Sequence, residues 1–594
     1  MKKKIFYIII AVSGLGLSSC SDILDQEPLD SFADPAVWGD LALSESFLNN
    51  CYTKVEAENS AGVLFSNYTD ESYHMHDYGT SNYTQGRVTC DNYNTGWTEG
   101  KGNTWAHYYG GIKLTNQFLE KIQQTPTLRD GDEEWKKQLI GQAYFLRAYF
   151  YHMLYSFYGR VPIITKTYSL DSEFTESRAA ADDVADFIAQ QCDSASKYLP
   201  IQYKDENDFG RATKGAALAL KGRTLLYKAS PLFGTPSIDK WKEAAAANKA
   251  VIDLVDDNGA KVYSLKQINN SEEYAALFID SHNPEVIFEK LYDSKGISGS
   301  SASFVMQAPA GPGSGYGGWS TWQPTEEIVS KFQNSDGTPY QAAETKTYKI
   351  LETVIDPATG EAKKQEKNIQ ASNINPWSNR DIRLSASIFT DGQQWGFGDS
   401  KREIELFEPA EENVIPGKDS RVGETWWNGT KTGYNMKKFL NPDFNTYDET
   451  IVDTTPWFFI RLSEIYLNYA ECQIELGNSV EALKYINFIR NRALLPSAKG
   501  ENIRAEYEYE RMAELIFEGQ RFFDLRRWLK LESIYNQQPV TGIKIYKYKD
   551  GTKIYHHNPE TIQQRAFNAP KNYWWPIPRY ELRRAPQIDA APYE

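Results

Sequence analysis

Three aromatic residues lie in a glycine-rich stretch that has no helical pattern, and their rings could bind a ligand there. Tyr316, Trp319 and Trp322 lie within residues 293–324, in the segment YGGWSTW. Flat rings flanked by Asn, Asp and Gln side chains suit the apolar face and hydroxyl groups of a sugar ring. The alternative for each tryptophan is that its ring anchors the long loop to the rest of the protein. Trp319 and Trp322 are the strongest pair of candidate binding residues in the sequence.

A second stretch of the same composition lies earlier in the chain. Residues 59–104 are rich in Asn, Ser, Gly and Tyr, and they include Tyr83 and Trp97. Segments this long without regular structure are usually functional or disordered. Disordered segments are poor in aromatic residues, which argues against that alternative here. We therefore predict that both stretches are ordered surface loops that carry a binding site.

Two acidic residues are spaced for hydrolytic chemistry. Glu514 and Glu518 are four apart in a helical pattern, so their side chains are neighbours at about the separation of a glycosidase carboxylate pair. Arg511, Arg521 and Asp524 surround them in the sequence. This setting favours an internal salt-bridge network over a catalytic pair.

Two histidines offer a weak metal-binding pattern. His74 and His76 are two residues apart, with Asp70, Glu71 and Asp77 nearby, and no clear further ligand completes a site. A solvated loop is the favoured interpretation of this segment. No G-x-S-x-G, phosphate-binding glycine loop or H-E-x-x-H motif occurs, so the sequence predicts no enzyme activity and no cofactor. A structural calcium ion held by loop carboxylates stays open.

The N-terminus predicts export and lipidation. Three lysines precede an apolar run of about a dozen residues, which suits a signal peptide and is too short to cross a bilayer. Leu17-Ser18-Ser19-Cys20 resembles the lipobox of bacterial lipoproteins, in which the cysteine after the cleavage site carries the lipid. We therefore predict a signal peptide over residues 1–19 and lipidation of Cys20. The alternative is an ordinary signal peptide with an incidental cysteine.

The net charge restricts the classes of partner that we expect for this protein. The chain has 594 residues and a formal net charge of -15, which makes nucleic acid an unexpected partner. The same acidity argues mildly against substrates rich in uronic acid, although a local basic patch could override it.

Four further cysteines show no C-x-x-C spacing, and three disulfide pairings among them stay open. These are Cys51, Cys90, Cys192 and Cys472, of which the last two lie in helical patterns and are predicted to be buried.

Helical pairs must hold the two loops in place. One face of a helix is marked by apolar residues three or four apart, namely Leu139, Ala143, Leu146, Phe150, Met153 and Phe157. Gly159 ends this helix, and Trp105 opens an earlier one with core spacing. We predict helical pairs over about 105–158, 179–255 and 457–530, and a loop-rich binding region over about 59–104 and 260–455. Such pairs resemble tetratricopeptide repeats and should stack. The predicted fold is all-α, a tetratricopeptide-like scaffold with a large irregular region packed on it, in one domain of residues 20–594.

Several motifs in a fixed order carry a family resemblance. They are CSDILDQEP, LRAYFYHMLYSFYGRVPII, RATKGAALALKGRTLLYKASPL, RLSEIYLNYAEC, INFIRNRA, ERMAELIFEGQRFFDLRRW and WWPIPRYEL. Following a lipobox, they resemble the SusD/RagB family of nutrient-binding outer-membrane lipoproteins of Bacteroidetes. The C-terminus departs from the family's usual Asn-Pro and Gln-Asn-Pro-Gly-Tyr elements, because Arg584-Ala585-Pro586 and Ala591-Pro592-Tyr593 stand there.

The resemblance implies a function and a location. Family members are anchored by lipid on the outer face of the outer membrane, and they pass captured oligosaccharides to a SusC-like TonB-dependent transporter. Members of the RagB branch bind peptides, which stays an alternative, as do a surface glycoside hydrolase and a protein that contacts only its transporter. An aromatic residue of the N-terminal region faces one of the later loop across the ligand in relatives, and Trp97 is the matching residue here. The predicted ligand-binding residues are Trp319, Trp322, Tyr316, Trp97 and Tyr83.

Overall fold

The computed structural model describes nine ranges of the chain: residues 34–58, 62–97, 103–169, 171–292, 318–356, 358–396, 401–423, 426–442 and 454–593. Two predicted functional residues, Cys20 and Tyr316, lie outside them. None of the helices in these ranges is long and apolar enough to span a bilayer.

Helices dominate the described ranges. They are α1 (Asp34–Val37), α2 (Leu41–Tyr52), α3 (Thr80–Thr84), α4 (Thr104–Lys121), α5 (Asp132–Tyr158), α6 (Ala181–Tyr198), α7 (Lys214–Ala229), α8 (Ile238–Ile252), α9 (Ser271–Ala276), α10 (Glu326–Val329), α11 (Ile382–Ser387), α12 (Leu462–Glu475), α13 (Ser479–Arg492), α14 (Ile503–Glu514), α15 (Gln520–Arg527), α16 (Leu531–Gln537) and α17 (Arg579–Arg584).

The long helices stack in chain order and form the scaffold. Each of α4 to α7 packs against the next helix in the chain, and α8 packs against α12, although residues 253–461 lie between them in sequence. Helices α12, α13 and α14 then pack against one another. The apolar faces of these helices meet in one large core, as expected for helical pairs that cannot bury these faces alone.

Local sequence explains the bounds of the longest helix, α5. Asp132, Glu133 and Glu134 occupy its first turn, where carboxylates interact favourably with the helix dipole. It ends at Gly159, whose φ is +65° and whose position has no room for a Cβ, since that atom would lie 2.7 Å from the ring of Trp574. The predicted end of this helix is therefore confirmed.

Short strands occur mainly in the region between α8 and α12. They are β1 (Ser72–His74), β2 (Val286–Lys290), β3 (Trp322–Pro324), β4 (Lys346–Ile355), β5 (Ala362–Ala371), β6 (Ile388–Phe389), β7 (Gln394–Trp395), β8 (Arg402–Glu403), β9 (Glu408–Pro409), β10 (Asn435–Met436), β11 (Trp457–Arg461), β12 (Ile543–Lys547) and β13 (Lys553–His557).

The strands form small sheets and not one layer. Antiparallel pairs join β1 to β3, β2 to β11, β4 to β5, β6 to β10 and β7 to β8, while β12 lies between antiparallel β13 and parallel β9. The hairpin of β4 and β5, with ten residues in each strand, shows that the region predicted to be irregular contains regular structure. A second apolar core beneath this region includes Trp322, Phe389 and Trp395.

The four described cysteines are buried and unpaired. Burial raises the pKa of the Cys192 and Cys472 thiols well above the usual range. Both therefore behave as small apolar core residues, as predicted.

Candidate binding site

An antiparallel strand pair brings the two aromatic stretches together. Strand β1 of the earlier stretch pairs with β3 of the later one, with His74 opposite Trp322 and Tyr73 opposite Gln323. The pairing continues one step further, because the Met75 N–H donates to the Thr321 carbonyl at 2.8 Å. The two stretches thus meet as expected, through backbone hydrogen bonds.

Two of the predicted ligand contacts are core residues. Trp322 is fully buried, and its indole N–H donates to the Gly62 carbonyl at 3.0 Å. Tyr83 is also fully buried, and its hydroxyl donates to the Asn572 carbonyl at 2.5 Å. The prediction that these rings face a ligand is wrong, because Trp322 lies in the second apolar core and Tyr83 packs edge-on against Phe522.

Trp97 is likewise turned toward the interior. It is 4% exposed, and its ring centroid lies 4.3 Å from that of Phe65 in the helical core. It borders a cavity of about 230 Å³ that Tyr158 and Trp575 also line. Trp97 therefore offers no open ring face at the surface. Trp105 is also 4% exposed, which confirms its prediction as a core residue.

Trp319 is the predicted ring that lies at the surface. It is 42% exposed and meets the ring of His76 edge-on, with 6.3 Å between centroids. Tyr78, which is 38% exposed, stacks on the ring of His76 at 6.3 Å. We call Trp319, His76 and Tyr78 the aromatic patch. The sequence pattern indicates His76 only as a metal ligand and does not single out Tyr78.

Unusual backbone conformations hold the aromatic patch. Asp77, Tyr78 and Ser320 have positive φ angles of 67°, 45° and 46°, which non-glycine residues adopt at a cost and which often mark functional sites. The Asp77 carboxylate fixes this turn by accepting the Ser81 N–H at 2.6 Å and the Ser81 hydroxyl at 2.7 Å. The Tyr78 carbonyl also approaches Gly96 so closely that a Cβ there would lie 2.8 Å from it.

A lysine borders the aromatic patch. The exposed Lys431 lies beside it, because its backbone N–H donates to the Gln323 side chain at 2.9 Å and its ammonium group lies 5.7 Å from the Tyr73 ring centroid. Trp427, four residues earlier in the chain, is 56% exposed. The sequence pattern singles out neither residue, although the doubled tryptophan in TWWNG is a composition signal of the same kind as YGGWSTW.

His76 is neutral at physiological pH. Burial lowers its pKa, a hydrogen bond with the Trp319 backbone opposes that effect, and the nearby charge of Lys431 lowers it further. The buried Nε2 atom has no hydrogen-bond partner.

The segment around His74 is buried. His74 is 3% exposed, its Nε2 lies 3.0 Å from the Gly62 carbonyl, and burial lowers its pKa to about 4. Asp70 pairs with Arg521 at 2.6 Å and with Lys331. The prediction of a solvated loop is therefore wrong. Across the described ranges, no group of three or more His, Cys, Asp or Glu side chains is placed to hold a metal ion.

Glu514 and Glu518 belong to a buried salt-bridge network. Arg461 contacts both, at 2.7 Å from Glu514 and 2.6 Å from Glu518. Glu514 also pairs with Arg492 and Arg383, and Glu518 pairs with Lys438 at 2.7 Å. Burial alone would raise the pKa of Glu514, but the arginines hold it well below its usual range. The predicted network is confirmed.

The partners within that network differ from those predicted. Arg511 pairs with Asp524 at 2.6 Å, and Arg521 pairs with Asp70 at 2.6 Å, so neither arginine neutralises Glu514 or Glu518. Residues close in sequence to the two glutamates did not predict their ion-pair partners, because the actual partners come from distant segments.

The fold and the site define a helical-repeat protein with an inserted surface region that presents aromatic side chains. The family model described as "SusD family" matches residues 284–593. A second model, described as "Starch-binding associating with outer membrane", matches residues 22–226. The chain therefore belongs to the SusD family.

Similar proteins match over nearly the whole chain. SusD-like protein P38 of Formosa agariphila is 23% identical over 570 residues, which cover 91% of this chain and 93% of that protein. A SusD-like protein of Bacteroides fragilis superposes with a TM-score of 0.73 at 24% identity, covering 95% of this chain and 99% of that one. A SusD-like carbohydrate binding protein of the same species gives a TM-score of 0.70 at 21% identity, covering 93% and 100%. These structures share the fold, which confirms the tetratricopeptide-like scaffold.

Proposed function

We propose that this protein binds a glycan at the cell surface through the aromatic patch and passes it to a SusC-like TonB-dependent transporter. The observation that carries the proposal is the exposure of Trp319 and Tyr78, which both contact the ring of His76, on backbone that the strand pair fixes. Exposed aromatic rings suit the apolar face of a sugar ring. The carbohydrate-binding member of the same fold in B. fragilis supports this ligand class.

The site binds its ligand without cleaving it. The carboxylate pair spaced for hydrolysis is buried and neutralised by arginines, so it offers no proton donor to a glycosidic bond. After prolonged incubation with a bound polysaccharide, we expect no increase in reducing ends. Such an increase, abolished by Glu514→Gln in a folded protein, would instead identify a hydrolase.

Membrane attachment and the transporter partner rest on the family and the lipobox. Lipid on Cys20 would tether the chain to the outer membrane and hold it beside a transporter that takes over the ligand. Metabolic labelling of the full chain with a radioactive fatty acid tests the anchor. We expect label in the native protein and none in Cys20→Ala.

The first experiment is titration calorimetry of the chain from Ser21 onward, which retains every described residue, against a panel of neutral and acidic polysaccharides. We expect one polymer class to bind, and Trp319→Ala and Tyr78→Ala to weaken that binding at least about tenfold, or about 1.4 kcal/mol. Phe488→Ala is the matched control, because Phe488 is an equally exposed ring, 43%, on helix α13 of the scaffold.

The outcomes separate the alternatives. Unchanged binding in folded Trp319→Ala and Tyr78→Ala would exclude the aromatic patch as the site. Binding of peptides and of no polysaccharide would replace the glycan proposal with the RagB-like alternative. Loss of binding in Phe488→Ala as well would show that the effect is not specific to the aromatic patch.

A further inference from the structure

A second cavity lies in the region between helices α8 and α12. It has a volume of about 470 Å³, within the range of small-ligand sites. Ala275, Ala276, Ile279 and Leu440 give it apolar walls, and Trp395, Gln393 and Lys437 also line it. We call it the Lys437 cavity.

Lys437 is buried, and it forms no ion pair with a carboxylate of the described residues. The residue is 7% exposed, and its ammonium group donates to the Ser385 carbonyl at 3.0 Å. The rings of Trp395 and Phe389 lie near it, with centroids 5.5 Å and 6.0 Å away. Burial lowers the pKa of Lys437, and Glu272 at the cavity rim partly opposes that effect.

The next residue shows how this fold otherwise buries an ammonium group. Lys438 is 1% exposed, donates to the Glu518 carboxylate at 2.7 Å and donates to the Ile516 carbonyl at 2.9 Å. Burying a charge is costly unless it is paired. Lys438 has its acid within the protein, whereas Lys437 faces a cavity in which an acid can bind.

Two other groups of the cavity suit a sugar ring. The Gln393 amide nitrogen donates to the Ile388 carbonyl at 3.0 Å and to the Thr390 hydroxyl at 3.1 Å, which leaves its buried Oε1 atom without a partner. Trp395 supplies an aromatic wall next to Lys437. The cavity therefore combines a cation, a hydrogen-bond acceptor and an aromatic ring.

We propose that the Lys437 cavity binds a uronic acid residue of a glycan, with Lys437 pairing to its carboxylate, Trp395 packing against its ring and Gln393 Oε1 accepting from a hydroxyl group. A charge-assisted pair in a partly dehydrated cavity is strong compared with a neutral hydrogen bond. The chain as a whole is acidic, so acidic glycans need such a local cation. This site is separate from the aromatic patch and does not require the function proposed for it.

The test is calorimetry of the chain from Ser21 onward with trigalacturonic acid and its fully methyl-esterified form, which lacks the carboxylates. We expect the native protein to bind the acid at least tenfold more tightly than the ester. Lys437→Met, which keeps the length of the side chain and removes its charge, should abolish that preference. Lys242→Met is the matched control, because Lys242 is an exposed lysine on helix α8 of the scaffold. It should leave the preference unchanged.

The opposite results overturn the proposal. Equal binding of acid and ester by the native protein excludes the cavity as a uronate site, and this arm needs no variant to fold. A preference that survives Lys437→Met places the acid at another site. A preference that disappears in Lys242→Met as well would show that the effect is not specific to the Lys437 cavity. Thermal unfolding gives an independent test of the role of Lys437. We expect Lys437→Met to unfold at or above the native temperature, since it removes an unpaired buried charge. A large decrease would show that Lys437 is structural.

The proposal for the aromatic patch and the proposal for the Lys437 cavity can be refuted independently of each other. Loss of neutral-glycan binding in Trp319→Ala with an intact acid preference supports both sites. A protein that binds neutral glycans at the aromatic patch and shows no acid preference keeps the proposed function and excludes the uronate site.

Discussion

The contrast between Trp322 and Trp319 gives the sharpest test of the structure. The two residues are three apart in one glycine-rich segment, yet Trp322 is fully buried and Trp319 is 42% exposed. We expect Trp322→Ala to destabilise the protein strongly with little direct effect on a ligand. We expect Trp319→Ala to weaken ligand binding with a much smaller effect on stability.

The magnitude follows from burial. A buried tryptophan removes about 150–250 Å² from water, which at about 25 cal/mol per Å² corresponds to about 4–6 kcal/mol. Measured substitutions of large core aromatics by alanine cost about 3–5 kcal/mol, so we expect about 4 kcal/mol for Trp322→Ala. Trp319 is 42% exposed and should cost about half as much, or about 2 kcal/mol. The difference between the two variants should therefore be about 2 kcal/mol.

The assay is urea unfolding followed by far-ultraviolet circular dichroism, because tryptophan fluorescence itself changes when a tryptophan is removed. Trp322→Phe is the matched control, since it keeps most of the ring volume and loses the hydrogen bond to Gly62, worth about 1 kcal/mol. Equal destabilisation by Trp319→Ala and Trp322→Ala would refute the placement of the two rings. So would a Trp322→Ala protein as stable as the native one.

Three further predictions concern the framework around the site. Glu514→Gln should destabilise by about 3–5 kcal/mol in urea unfolding, because it leaves Arg461 buried with one partner fewer, and a cost below 1 kcal/mol would contradict the network. Burial raises the pKa of Glu71 to about 8 from its ordinary 4.5. The folded state therefore holds a proton that the unfolded chain releases, and stability falls as pH rises from 4.5 to about 8. The midpoint of the native protein should fall over this window relative to Glu71→Gln, and parallel pH profiles would contradict the shift. Gly159→Ala should lower the melting temperature, since alanine disfavours a φ of +65° and its Cβ would meet Trp574. An unchanged melting temperature would show that the helix end can relax.

The sequence predicted the scaffold because helical patterns are local. Apolar residues three and four apart identified α5, and Gly159 marked its end. The small strands escaped prediction because their pairing is nonlocal. Strand β3 lies about 250 residues from β1 in sequence, and nothing near Trp322 shows that His74 lies opposite it.

The same reason explains why the candidate site was only partly predicted. Composition indicated the two stretches that the strand pair brings together, and it indicated Trp319, which is exposed. It did not separate Trp319 from Trp322, because the difference depends on Ser320, whose positive φ turns the chain before β3 begins. Tyr78 carried a weak signal, since Asp-Tyr-Gly is typical of a turn and a turn exposes its side chains.

The elements that carry the aromatic patch are ordered before a ligand binds, so little binding free energy is lost in ordering them. Asp70, two residues before β1, is fixed by Arg521 of α15. Burial raises the pKa of Asp70, but the charges of Arg521 and Lys331 hold it well below its usual range. Strand β1 then fixes β3, so Trp319 and Tyr78 are held on elements tied to the helical core before any ligand arrives. Affinity for a flexible polymer depends strongly on how much of the site is already ordered. Weakening the Asp70 pair should therefore reduce ligand affinity even though Asp70 itself is buried beneath the site.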